Sequence, residues 1–122
     1  MVEGIGIDII DVARIKKSIE EYGELFTSRL FTDAEMSYCN EKPNPYQHFA
    51  ARFAAKEAFS KATGTGWNAD FSWLEVEVVN EKSGKPNLHL AGGTAEAIGK
   101  KEVFLSLSHS GDYVTAVVVI ES

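Results

Sequence analysis

The chain has 122 residues, enough for one self-supporting domain and too few for two. Apolar residues make up 44% and charged residues 25%, an ordinary globular balance, and no apolar run approaches the roughly 20 residues needed to cross a bilayer. Twelve Lys and Arg against eighteen Asp and Glu leave a net charge of −6. That argues against nonspecific nucleic-acid binding, which depends on basic residues neutralising phosphates. An acidic chain binds an anion only through locally gathered positive groups or a metal. The start, Met1-Val2-Glu3-Gly4, has neither a basic n-region nor a following apolar h-region, so no secretory signal is expected. Cys39 is the single cysteine and has no internal disulfide partner, which fits a reducing cytoplasm.

In chain order, Ile5, Ile7 and Ile9 alternate with Gly6, Asp8 and Ile10 and predict a first strand. Asp11 is placed to cap a helix whose apolar stripe is Val12, Ile15, Ile19 and Tyr22. Thr32 with Glu35 matches a capping box, and Phe31 with Met36 a hydrophobic staple, so a short helix should follow Thr32 and end before the turn-prone Asn40 to Pro45. A longer helix is predicted from about Tyr46 to Thr63, stopped by Gly64, with Ala51, Ala54, Ala55, Ala58 and Ala62 along one close-packing face. Leu74, Val76 and Val78 alternate with Glu75 and Glu77, and a Ser83-Gly84-Lys85-Pro86 turn leads into Asn87 to Leu90. A short helix near Thr94 to Ile98 precedes two strands, Val103 to Ser108 and Tyr113 to Ile120, joined by His109-Ser110-Gly111-Asp112. The last strand is apolar on both faces, so it should be central or covered. The pattern reads as α+β with a largely antiparallel sheet packed against a long central helix.

Four places stand out chemically. Asp8 is an aspartate inside a strand, a disfavoured position, and near apolar surface it needs a cation or several donors. It either caps a turn or pairs with an arginine such as Arg14, or it binds a metal or takes part in catalysis. Arg52, Lys56, Glu57 and Lys61 fall at i,i+4 spacings on one broad side of the long helix. They form either a solvated face with a Glu57–Lys61 ion pair worth a few tenths of a kcal/mol, roughly, or a set of bases and a carboxylate suited to a metal-bound polyphosphate. Gly64-Thr65-Gly66 either ends this helix in a left-handed cap or lets backbone approach a phosphate; no Walker-type loop is present. Ser106 to Ser110 ends a strand at a turn, where His109 either is satisfied by backbone or holds a phosphate. No nucleophile elbow accompanies it, and His48 and His89 lack metal-ligand spacing with it, so neither a serine hydrolase nor zinc is proposed.

Three segments together resemble one family. Gly4-Ile5-Gly6-Ile7-Asp8-Ile9 with Arg14-Ile15, the long block Arg52-Phe53-Ala54-Ala55-Lys56-Glu57-Ala58-Phe59-Ser60-Lys61-Ala62-Thr63-Gly64-Thr65-Gly66, and Ser106-Leu107-Ser108-His109 are similar, in order, to the signature blocks of the holo-acyl-carrier-protein synthases, which are phosphopantetheinyl transferases. The likeness spans essentially the whole chain, and the middle block is the most specific.

The resemblance implies the phosphopantetheinyl transferase fold over residues 1–122. It implies transfer of 4′-phosphopantetheine from coenzyme A to a serine of an apo-acyl carrier protein, with 3′,5′-ADP leaving, in fatty acid biosynthesis. It implies that Asp8 and Glu57 bind Mg²⁺ and that Asp8, Glu57 and Lys61 do the catalytic work, with Glu57 or a water it orients as base. Arg52, Lys61, Gly64, Gly66, Pro86 and His109 are implied to hold the coenzyme, with Lys42 a further candidate. Arg14 and Lys17 are implied to dock an acidic carrier protein, with Lys16 beside them and Arg29 a further candidate, although Glu20, Glu21 and Glu24 follow and oppose such a partner. The family's compact members form trimers with active sites between subunits, so a homotrimer is expected. Two other classes compete: a magnesium-dependent nucleotide hydrolase using the same carboxylates, and a noncatalytic binding module in which the charged helix side is merely solvated.

Overall fold

Strand β1 (Val2–Asp11) runs directly into helix α1 (Val12–Tyr22), and Asp11 caps the junction by accepting a hydrogen bond from the Ala13 N–H at 2.9 Å. These and the following elements come from a computed structural model that describes residues 1–68 and 70–122. Gly23 closes α1 at φ +54°, and a second helix, α2 (Glu24–Leu30), follows at once. No pattern in the sequence marked α2. It is one seven-residue stretch with a glycine in place of a side-chain cap.

The capping box opens α3 (Asp33–Asn40) as expected: Glu35 N–H donates to Thr32 Oγ1 at 3.2 Å, and Thr32 N–H to Glu35 Oε1 at 2.9 Å. The long helix α4 (Pro45–Ala62) has proline at its first position, where a missing N–H costs nothing. A 3-10 turn at Trp73–Glu75 leads to β2 (Val76–Asn80), which pairs with β3 (Pro86–Leu90) as a separate two-stranded sheet. Leu74, expected inside that strand, lies in the turn and is exposed. Helix α5 (Gly92–Ile98) separates this pair from β4 (Glu102–Ser110) and β5 (Tyr113–Glu121).

The main sheet has the order β1-β5-β4, antiparallel throughout, so the closing strand is central as its two-sided apolar pattern demands. Register defines two faces. Gly4, Gly6, Asp8 and Ile10 of β1 stand opposite Ile120, Val118, Ala116 and Val114 of β5, which in turn oppose Val103, Leu105, Leu107 and His109 of β4. Helix α4 lies across this inner face. It comes close because the strand supplies no side chain at two positions. A Cβ on Gly4 would sit 1.9 Å from the Ala62 carbonyl oxygen, and one on Gly6 1.8 Å from that of Ala58. The core is Phe49, Ala50, Ala54, Ala55, Ala58 and Phe59 of α4 against the valines and Ala116 of β5. Each large apolar side chain so buried contributes about 1.5–3 kcal/mol.

The other face is turned outward. Ile5, Ile7 and Ile9 remain 65%, 61% and 64% exposed, beside exposed Phe104 and half-buried Val117 and Val119. The isoleucines that announce the first strand therefore lie on its outer side. The glycines and Asp8 between them face the helix.

Candidate active site

Asp8 sits on the inner face of β1 between Gly6 and Ile10, where α4 crosses. Lys61, in the last turn of α4, donates from Nζ to Asp8 Oδ1 at 3.1 Å and to the Ile7 carbonyl at 3.0 Å. The lysine side chain is half exposed, whereas that of Asp8 is 15% exposed. Glu57 precedes Lys61 by four residues and so shares its face of the helix. Asp8, from the start of the chain, is thereby tied to the helix face that carries Glu57 one turn earlier. Asp8 pairs with Lys61, not with Arg14, and Lys61 does not make the ion pair with Glu57 that i,i+4 spacing suggested. Glu57 Oε1 instead accepts from the indole Nε1–H of Trp67 at 3.0 Å.

The charged side expected on α4 is divided by the structure. Lys56 is 0% exposed, turned away from Asp8; its Nζ bonds Glu35 Oε1 at 2.6 Å and the carbonyls of Leu30 and Trp73 at 2.5 and 3.1 Å. Glu35 also accepts from the Val78 N–H at 2.9 Å, so the pair ties α3, α4 and β2 together. Burial holds the Lys56 ammonium below the usual lysine range, against the pull of the Glu35 charge. Arg52 is 2% exposed: its guanidinium stacks 4.2 Å over the Tyr38 ring, donates to Asn80 Oδ1 at 2.8 Å, and leaves Nε without a partner among the described residues. The solvated helix side does not form because α4 is central, covered by other elements around most of its girth.

A second group lies toward the start of α4. Lys42 Nζ is 4.6 Å from the Tyr38 ring, and His48 meets the same ring edge-on at 5.7 Å. His109 is the next-to-last residue of β4, not in a turn, because the strand continues to Ser110 and only Gly111 and Asp112 turn the chain. Register puts it on the inner-face side at the exposed end of the strand, with Gln47, His48, Ala51, Leu107, Ser108 and Val114 around a cavity of about 150 Å³. Burial, with Arg52, Lys42 and His109 nearby, holds the His48 imidazole below the usual histidine range. Lys42 and Arg52 thus bring two cations beside two imidazoles on an acidic protein, an environment suited to phosphate. Pro86 pairs in register with Asn80, the residue that Arg52 holds. Gly64 and Gly66 adopt φ of +81° and +71° just past α4, next to Lys61, where only glycine is unstrained.

Arg14 and Lys17 are exposed on α1, and Lys16 stands 5.7 Å over the Tyr46 ring. Arg29 borders a cavity of about 520 Å³ with Tyr22, Leu25, Phe26, Leu30 and Phe53. Sequence reasoning missed this cavity, since four of its six lining residues belong to α2. It also missed Trp67.

Among the described residues no three or more His, Cys, Asp and Glu are gathered as a metal site. Asp8, with Glu57 one turn before its partner Lys61, offers carboxylates of the kind Mg²⁺ takes, an ion that commonly binds one or two protein carboxylates and completes its shell with substrate phosphate and water. The half-buried Asp8, held here by a lysine ammonium, is a carboxylate placed for a cation.

The sequence and this fold match a known class. Residues 4–118 fit the family model of the 4′-phosphopantetheinyl transferase superfamily, and the chain belongs to that family. It is 46% identical over 117 residues, covering 96% of both chains, to a holo-[acyl-carrier-protein] synthase of Chloroherpeton thalassium. Its fold is similar to the crystal structure of the Neisseria meningitidis holo-[acyl-carrier-protein] synthase, with a TM-score of 0.91 at 35% identity over the whole of both chains. It is also similar to the Bacillus anthracis holo-(acyl-carrier-protein) synthase solved in complex with CoA (3′,5′-ADP), with a TM-score of 0.84 at 40% identity, covering 100% of this chain and 98% of that one.

Proposed function

We propose that residues 1–122 form one transferase domain that moves 4′-phosphopantetheine from coenzyme A to a serine of an apo-acyl carrier protein, in the cytoplasm and in support of fatty acid biosynthesis. The observation that carries this reading is the Asp8–Lys61 contact beside Glu57, in a chain whose relatives are holo-acyl-carrier-protein synthases.

Asp8 and Glu57 would hold Mg²⁺, which when bound neutralises negative charge on the coenzyme diphosphate. The carrier serine oxygen forms a bond to the β-phosphorus, and the bond from that phosphorus to the 3′,5′-ADP oxygen breaks. Glu57, or a water that it orients, takes the serine proton. Lys61, half exposed beside Asp8, supplies its ammonium to the departing phosphate. Gly64 and Gly66 admit backbone close to the diphosphate. Arg52, Lys42 and His109, with Pro86 at the edge, hold the remaining phosphate of the coenzyme.

The apolar outer sheet face supports a homotrimer. Ile5, Ile7, Ile9, Phe104, Val117 and Val119 form a contiguous apolar surface of the kind monomers rarely leave bare. Further copies of this chain are its proposed occupant, with each active site completed between subunits. Carrier docking is proposed on exposed Arg14 and Lys17, which would steer an acidic partner, with Arg29 at the apolar cavity lined by α2 as a further contact.

Mass spectrometry of an apo-acyl carrier protein incubated with the enzyme, coenzyme A and Mg²⁺ tests the reading. The expected result is a gain of one phosphopantetheine per carrier. Coenzyme hydrolysis with the carrier unchanged would contradict it.

A further inference from the structure

Trp67 belongs to none of the motifs read from the sequence, yet its indole is the group that holds Glu57. The segment after α4 turns back on itself through Gly64 and Gly66, and the Gly66 N–H donates to the Ser60 carbonyl at 3.2 Å, which returns Trp67 to the last turns of the helix. There the ring is fixed by packing. It stacks on Trp73 with centroids 4.4 Å apart and planes 22° from parallel, and it tilts against Phe59 at 6.3 Å. Trp73 is anchored in turn, because its carbonyl accepts a hydrogen bond from buried Lys56. What emerges from this packing is one N–H, 3.0 Å from Glu57 Oε1.

We infer that Trp67 is a positioning residue for Glu57: its indole N–H fixes one carboxylate oxygen and leaves the other for the cation that Glu57 shares with Asp8. A glutamate on a helix surface otherwise samples many rotamers, and each would have to be lost when the ion binds. A donor on a ring wedged between aromatic neighbours removes that freedom in advance. It is also neutral, so unlike a lysine it does not compete with the ion for the carboxylate. Partners of this kind, bonded to a metal ligand and not to the metal, typically account for 10–100-fold in metal affinity. The inference rests on the reading of Glu57 as a ligand. The bland alternative is that a partly buried indole has simply found an acceptor, as tryptophans usually do.

Mn²⁺ titration followed by electron paramagnetic resonance, in the presence of coenzyme A, separates these. Trp67→Phe keeps an aromatic ring for the stack and loses the N–H. The expected result is weaker Mn²⁺ binding by about 10-fold or more, beyond anything explained by lost fold as judged from the thermal transition. Mn²⁺ affinity within twofold of wild type in folded W67F overturns the inference. Glu57→Ala is the control: loss of Mn²⁺ binding there with W67F unaffected sinks only the role of Trp67, whereas E57A binding Mn²⁺ normally sinks the ligand assignment as well. If W67F does not fold, the indole N–H resonance of Trp67 in the wild-type protein serves instead. A shift that saturates with Mg²⁺ in the presence of coenzyme A supports the inference, and an unmoved resonance overturns it.

Discussion

Lys61 reaches from the last turn of α4 to β1, where its Nζ lies 3.1 Å from Asp8 Oδ1, on the helix face that also carries Glu57. The contact joins residues 53 apart in sequence and makes the ammonium the cation that Asp8 holds in this structure.

Replacing Lys61 by alanine should therefore damage catalysis much more than folding. The pair is partly exposed, so its loss costs about 1 kcal/mol or less. Loss of a charge that stabilises a departing phosphate lowers kcat by about 10²-fold or more. Stopped-time carrier modification with urea unfolding of the same preparation checks both. Equal rates for K61A and wild type would remove the catalytic role.

Gly6→Ala should break the site from a distance. The added Cβ would lie 1.8 Å from the Ala58 carbonyl oxygen and 2.6 Å from the Ala62 nitrogen, so β1 and α4 must separate. Overpacking of this kind costs about 1–3 kcal/mol, and more where backbone must move. The separation also pulls Asp8 from Lys61. A lowered thermal midpoint together with lost transfer is expected, and an unchanged midpoint would contradict the close approach.

The buried Lys56–Glu35 pair predicts a folding defect. Lys56→Met strands a carboxylate at 0% exposure, and removal of one partner from such a pair costs about 3–5 kcal/mol. Denaturant titration measures it. A loss below about 1 kcal/mol would mean that the pair is dispensable.

These outcomes also mark where sequence was sufficient. The strand alternation around Asp8, the capping box at Thr32, the start and stop of α4 and the central last strand were all legible, because each is set by neighbours a few residues away. The sidedness of β1 was not. Alternation gives two faces and does not say which is covered, and here the covered face is the one with glycines, since only a bare backbone lets α4 approach. Lys56 reads as solvent-facing because its partner Glu35 lies 21 residues off, in another helix. The Trp67–Glu57 bond depends on how a glycine turn folds back, which spacing alone does not encode. Helix α2 carries too few residues for a helical period to register.

Cys39 offers a check on the core that is independent of the site. It is fully buried, and desolvation pushes its thiol up from 9.0 to about 12. The unfolded chain loses this proton above about pH 9 while the folded chain keeps it, so stability should fall as pH rises from 9 toward 12. Below pH 9 the native protein should resist alkylating reagents and react only when unfolded. Rapid alkylation of native protein would contradict the burial.

Ile7→Glu tests the outer sheet face. A charge at the middle of the three exposed isoleucines should convert a trimer to monomers by light scattering and abolish transfer with it. A wild-type mass that is already that of one chain would refute the proposed assembly.

The central claim, that Asp8 and Glu57 together grip one divalent ion on the coenzyme diphosphate, is tested most directly by a crystal structure with coenzyme A and Mg²⁺. The account predicts a single ion bonded to an oxygen of each carboxylate at about 2.0–2.1 Å, with diphosphate oxygens in its shell. An ion bound to the diphosphate with either carboxylate turned away from it would contradict the account.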